Sequence, residues 1–325
     1  MKILVTGGAG YVGAVLVPRL LKEGHSISVL DLMLYGEDVL DKHKNLNLIK
    51  GDIRDTDLLN KIIPGHQSLI HLACISNDPS FELNPKLGKS INLDSFRPLV
   101  DISKNHGVDR FIYASSSSVY GVKKEKNIHE NMTLEPLTDY SKFKANCEEI
   151  LSEFTSDNFT TVTIRPATVC GYSRRQRLDV VVNILTNLAY HKREITVFGG
   201  EQLRRNIHIQ DMVEAYLLLL NSPKELIQGN IFNAGDENQT VLELAETVKG
   251  VIGEDVKLVL SHSDDDRSYH ISSEKFKQKL GFIAKHSIKD AVEELKTAFD
   301  KGLLQDSLEN EKYFNIKRMQ SINLE

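Results

Sequence analysis

The stretch that decides the reading is "TGGAGYVG", residues 6–13. It follows the apolar run Ile3-Leu4-Val5 and opens a segment of helical period, residues 14–22. Gly7, Gly10 and Gly13 therefore stand between a strand and a helix. In that setting the first glycine makes a tight turn and the second lets the backbone approach a diphosphate. The third lets the helix pack close to the sheet. The anion then meets the positive end of the helix, beside Tyr11 and Val12. A glycine pattern alone is weak evidence. Its strand-loop-helix setting and an acidic residue after the next strand make it specific.

That acidic residue is Asp31, in "SVLDL" at 28–32. A carboxylate there accepts hydrogen bonds from adenosine ribose hydroxyls and repels a 2′-phosphate. Leu32-Met33-Leu34 bring no basic side chain, so the cofactor expected is NAD and not NADP. Outward from the loop, short β-branched runs recur at 27–30, 48–50, 68–72, 111–114 and 161–165. Amphipathic stretches such as 58–63 lie between them. Strand-helix alternation at this spacing predicts an α/β fold with a doubly wound parallel Rossmann sheet. Pro18 breaks the local rule inside the first helix, and a mild kink is expected there. Beyond about residue 165 the alternation fades. Helices are expected at 178–190 and 242–252, a strand and turn at "ITVFGG", and a docking tail or partly disordered segment at 303–325.

With 325 residues, 41% hydrophobic and 26% charged, the chain can bury a sizeable core. A net charge of -5 argues against a general nucleic-acid binder. Cys74, Cys147 and Cys170 match no CxxC spacing, so no structural metal site is expected. MKILVTGG does not read as a secretory signal, and no run approaches the roughly 20 apolar residues of a membrane span. The expectation is a soluble, cytoplasmic protein with no membrane or nucleic-acid partner.

Two further stretches carry chemistry. "RFIYASSSSVYG" (110–121) looks like a linker, yet an apolar strand precedes its serines. "DYSKFKANCEEIL" (139–151) holds Tyr140 and Lys144 at i and i+4, on one face of a helix. An ammonium beside a phenol favours the phenolate, so Tyr140 is a candidate proton acceptor and donor.

Together with "GDIRD" (51–55), "HLAC" (71–74), "INLDS" (91–95), "RPATVCG" (165–171) and "RRNIHIQDM" (204–212), these motifs resemble extended short-chain dehydrogenase/reductases. Within them the resemblance is to the nucleotide-sugar epimerase/dehydratase family, UDP-glucose 4-epimerases included, over residues 2–281. It implies a Rossmann domain at 1–165, with about 206–235 returning to it. A smaller C-terminal α/β lobe, 166–205 and 236–325, would bind the nucleotide-diphosphate sugar. Asp52 and Ile53 would border the adenine, and Leu72 and Ala73 would line the cofactor channel. Asn92 would hold the helix behind the site. Ser116, Tyr140 and Lys144 would be catalytic, with Lys144 also on the nicotinamide ribose and lowering the Tyr140 pKa. Thr168 stands where the family often has Asn beside the sugar diphosphate, and Arg204 matches the usual diphosphate-binding arginine. Ser117 and Ser118 would face the substrate, and a homodimer through helices at 92–106 and 140–154 is implied.

Departures narrow the reaction. The family's dehydratases carry an Asp-Glu pair where this chain has Ser117-Ser118, so dehydration is disfavoured, and decarboxylation with it. A family lysine after the fourth strand is replaced by Ser76. Two phosphates call for forked guanidinium donors, and Arg177, Arg204 and Arg267 are the candidates. Arg174 and Arg175 read equally well as a solvated face. The pattern at 167–190 is similar to a branch that includes GDP-heptose 4-dehydrogenases. Cys170 reads as a small buried hydrophobe, His208 as packing and His71 as a strand end. Three readings stand: a C4 epimerase, a 4-dehydrogenase or ketoreductase releasing its product, and a non-catalytic NAD sensor or scaffold.

Overall fold

The computed structural model describes residues 1–76, 78–123, 125, 127–262 and 271–322. Its strands are β1 (Lys2–Thr6), β2 (Ser26–Asp31), β3 (Leu46–Lys50), β4 (Ser68–His71), β5 (Arg110–Ala114), β6 (Thr160–Pro166) and β7 (Thr168–Cys170). They continue with β8 (Glu194–Phe198), β9 (Leu203–His208), β10 (Asn230–Ala234), β11 (Asn238–Thr240) and β12 (Lys257–Ser261). Seven of them form one parallel sheet in the order β10-β6-β5-β4-β1-β2-β3. The first six lie where the apolar runs placed them.

Period-two alternation explains how this sheet is covered on both faces. Ile3 and Val5 of β1 join one core with Leu16, Val17, Leu20, Met212 and Tyr216. Leu4 joins the other core with Leu59, Phe96, Leu99, Phe111 and Leu151. The Gly13–Lys22 helix runs on through Pro18, so the proline is no boundary. The order in which strands join the sheet reverses between β1 and β4, and a crevice opens there at the strand C-termini.

β10 returns to the edge of the large sheet beside β6, so residues near 230 belong with the first half of the chain. The rest of the second half builds a three-stranded sheet, β11-β9-β7, and a parallel pair, β12-β8. A third core of Val182, Leu185, Ile195, Leu244, Val248 and Val292 lies under them. The helix expected at 178–190 begins later, at Val181–Lys192. Arg177 and Asp179 pair as an ion pair just ahead of it, and Leu178 donates its N–H to Tyr313. Of the two expectations for the tail, docking holds for its described part. Ser307 and Asn315 are buried, and Asn315–Ser321 forms a last helix.

Candidate active site

The crevice holds a cavity of about 600 Å³. The ends of five strands contribute to its wall: Gly7 after β1, Asp31 on β2, Leu72 after β4, Ala114 on β5 and Pro166 on β6. Gly7 has φ 74°, and a Cβ there would lie 2.5 Å from the Ala73 amide nitrogen. A Cβ on Gly13 would lie 2.4 Å from the Gly8 carbonyl oxygen. Both positions need glycine, the first for its turn and for contact with the loop after β4. The Gly13–Lys22 helix starts at Val12 without a side-chain cap, which leaves its positive end to the cavity. Asp31 accepts N–H bonds from Ala9 (3.0 Å) and Met33 (2.8 Å). Burial raises its carboxyl above the ordinary value, and these bonds and the Arg175 charge only partly offset the shift.

The four serines of 115–118 are not equivalent. Ser115 is buried and donates to Glu148. Ser116 caps the short turn Ser117–Tyr120: its Oγ accepts from the Ser118 N–H at 3.1 Å and lies 2.8 Å from the Ser118 Oγ. The Ser116 hydroxyl also faces the Tyr140 phenol and favours its ionised form. Ser116, Ser117 and Ser118 all line the cavity.

Tyr140 stands at the start of the Asp139–Phe154 helix, which a reciprocal Thr138–Ser141 capping box begins. One turn on, Lys144 is only 4% exposed, so its ammonium needs a partner. It donates to the Ala114 carbonyl at 2.7 Å and lies 5.9 Å from the Tyr140 ring centre. The protein by itself holds the Tyr140 phenol above its ordinary value. Loss of water is the main cause, Cys74 and Asp78 add to it, and the Ser116 hydroxyl and Arg177 oppose it. The depression expected from Lys144 is outweighed by this desolvation.

Glu148, one turn further, accepts from Arg165 Nε at 2.9 Å and Nη2 at 2.5 Å. Arg165 reaches Tyr120 at 2.7 Å, and Tyr120 donates to Asn233 at 2.8 Å. The face of the helix that carries Tyr140 and Lys144 is thereby fastened to β6 and β10.

The structure brings Gly7, Gly10, Tyr11, Val12, Gly13, Asp31, Ile53, Leu72, Ala73, Thr168, Arg177 and Arg204 into the same cavity wall. Asp52 and Asn92 are not on it. Asp52 pairs with Arg54 at 2.7 Å, and Asn92 lies behind the wall, bonded to both the N–H and the carbonyl of Ile75. Arg267 lies outside the described residues.

A family model for the NAD dependent epimerase/dehydratase family matches residues 3–235. The chain belongs to that family. It is 28% identical to the UDP-glucose 4-epimerase of Lactobacillus helveticus over 313 residues, 90% of this chain and 94% of the relative. The solved UDP-glucose 4-epimerase of Thermotoga maritima, with UDP-glucose, superposes with a TM-score of 0.85 at 27% identity. That match covers 93% of this chain and all of the other. The UDP-glucuronic acid 4-epimerase of Bacillus cereus, solved with UDP-glucuronic acid and NAD, gives 0.83 at 25%, over 93% of this chain and 99% of that one.

As an enzyme of the epimerase/dehydratase family, the chain uses NAD, and its residues fit that cofactor. The uncapped helix end, the glycine-only contacts and the carboxylate at the end of β2 are the three features a dinucleotide needs. Four charged residues of the wall escape sequence reasoning. Arg175 reads equally well as surface from the sequence, yet it is buried, its guanidinium 3.5 Å from the Tyr35 ring centre. Arg205 is held by the Gly235 carbonyl at 2.9 Å, and burial lowers it to about 10. Asp78 accepts from Thr138, and Asp179 pairs with Arg177 at 2.9 Å. Only the arginine density of "SRRQRLD" and "LRRN" signalled any of them. Cys170 and His208 are buried as read, and His71 is buried against Thr6 at 2.7 Å.

Proposed function

We propose that this enzyme epimerises a nucleotide-diphosphate sugar at C4 through a transient 4-keto sugar. One observation carries the reading: Ser116, Tyr140 and Lys144 meet at the cavity, while the turn after Ser116 offers hydroxyls and no carboxylate. Tyr140 takes the proton of the C4 hydroxyl as the carbonyl forms and returns it when the carbonyl is reduced. Ser116, beside that phenol on the cavity wall, offers its hydroxyl to the same oxygen of the sugar. Lys144, immobilised by the Ala114 carbonyl, places a positive charge where it offsets the desolvated phenolate. NAD, when bound, supplies the acceptor and later the donor of the hydride.

Thr168, Arg204 and Arg205 are the residues proposed to hold the sugar nucleotide's diphosphate, from β7 and β9. The carboxylates of the described cavity wall already have partners: Asp31 has two backbone amides, Asp179 has Arg177 and Asp78 has Thr138. Net loss of water from the sugar, which needs a carboxylic acid and a carboxylate at the reacting carbons, is therefore disfavoured. The similarity to UDP-sugar epimerases makes UDP-hexoses and UDP-hexuronic acids the first substrates to test. The experiment is product analysis by NMR on a panel of UDP-, GDP- and dTDP-sugars. A C4 epimer supports the reading. A released 4-keto sugar with NADH formed in proportion would instead make the chain a dehydrogenase, and a 4-keto-6-deoxy product would make Asp78 part of a dehydratase.

A further inference from the structure

Asn315 begins the last described helix and is only 3% exposed. Its four hydrogen bonds reach three separate segments of the chain. The backbone N–H donates to Asp179 Oδ2 at 2.8 Å and Nδ2 donates to Ser76 Oγ at 2.9 Å. Oδ1 accepts from Arg175 Nη2 at 2.5 Å and from the Tyr35 hydroxyl at 3.0 Å. All four partners line the cavity. The network closes on itself, because Asp179 pairs with Arg177 and Arg177 Nη1 reaches Ser76 Oγ at 3.4 Å.

What this network holds is a pair of cations. Arg175 and Arg177 both line the cavity, both lie within electrostatic reach of Tyr11 in the glycine loop, and Arg175 also reaches Asp31. Arg175 Nε and Arg177 Nη2 are buried donors with no hydrogen-bond partner among the described residues. A buried guanidinium N–H left without an acceptor is costly. Two of them, with only Asp179 paired against them nearby, call for an anion. The tail that places Asn315 is itself anchored, since Arg318 donates to the Leu34 carbonyl at 2.6 Å and Met319 packs on the core.

We infer that Asn315 is a positioning residue for the cofactor: it holds Arg175 and Arg177 against the NAD diphosphate and so sets how tightly NAD is kept. The helix end that starts at Gly13 supplies one wall for that diphosphate, and this arginine pair supplies a second. Arg177, expected from the sequence to hold substrate, is thereby assigned to the cofactor. The inference rests on the NAD pocket described above, and its positioning residue, Asn315, lies beyond the segment 3–235 that defines the family.

The test is the Kd for NAD of purified, NAD-stripped protein, read by titration calorimetry, for the wild type, Asn315→Ala, Arg175→Met and the double variant. Thermal midpoints without NAD are read in parallel. Loss of a buried bond to a charged group predicts a rise in Kd of about ten-fold for each single variant. The double variant should fall well short of the product of the two single effects, because Asn315 acts in part through that arginine. A Kd for Asn315→Ala within about two-fold of wild type overturns the inference, and so do effects that simply multiply in the double variant. Should Asn315→Ala lose its fold, Tyr35→Phe removes one bond to Asn315 and keeps the ring under Arg175. It is expected to raise Kd about three-fold, and an unchanged value overturns the inference as well. A wild-type protein that binds no NAD would instead refute the cofactor pocket itself.

Discussion

Replacing Glu148 tests whether the helix that carries Tyr140 and Lys144 is held from behind by charge. Tyr140, Lys144 and Glu148 recur at four-residue intervals, so one face of this helix presents all three. The Glu148 and Arg165 side chains are 5% and 3% exposed, and they meet through two hydrogen bonds. In Glu148→Gln the guanidinium stays buried without its counter-charge, and the new amide must point a donor at a donor. Stranding one partner of a buried pair costs about 3–5 kcal/mol, a large share of a typical folding free energy of about 5–15 kcal/mol. The Ser115 hydroxyl loses a charged acceptor too. Urea unfolding followed by circular dichroism measures the loss, and the Glu148→Met/Arg165→Met double variant is the control. Replacing both charges with apolar side chains of similar volume should restore most of the stability, because the cost lies in the uncompensated charge. A loss below about 1 kcal/mol for Glu148→Gln, or a double variant as unstable as the two single losses summed, would refute this reasoning.

Two other variants probe the site directly. Tyr140→Phe is expected to lower kcat by about 10²–10⁴-fold while leaving NAD affinity close to wild type, since the phenol moves protons and the ring keeps its place. An unchanged kcat would remove Tyr140 from the proton transfer. Asp179 gives a pH-dependent prediction. Burial alone would raise its carboxyl, but the Arg177 charge and hydrogen bond and the Asn315 N–H bring it below its ordinary value. A carboxyl lowered on folding adds stability above the unfolded value near pH 4, and that stability is lost as pH falls through the lower, folded value. Asp179→Asn should therefore unfold at lower urea than wild type near pH 7, with the gap closing as pH falls below the unfolded value near 4. A gap that stays constant with pH contradicts the assignment.

Local rules made the first half of the chain legible. The glycine loop, the β-branched runs and the i, i+4 pair of Tyr140 and Lys144 are all set within a few residues of one another. The structure places them as those rules require. What stayed hidden depends on distant partners. Arg165 in "TVTIRP" and Glu148 in "CEEIL" each look like a polar break in an apolar pattern, and only the pairing of β6 with the helix explains both. Arg175 lies among charged neighbours and reads as surface, until Tyr35 and Asn315 arrive from 140 residues away on either side. β9, "LRRNIH", lacks the alternation that marks a half-buried strand, because Arg204 and Arg205 face the cavity, and β11, "NQT", carries no apolar side chain at all. The same displacement misled the reading of Lys144. Spacing put the ammonium beside the phenol, but spacing carries no information on how much water the phenol has lost.

The central claim is that hydride leaves C4 and returns to the same carbon. The measurement that tests it most directly is the fate of deuterium placed at C4 of an accepted nucleotide sugar. Both epimers at equilibrium should keep the label at C4, with no NADH released and no deuterium in the solvent. A keto product whose deuterium is recovered in free NADH, or a label washed into water, would contradict it.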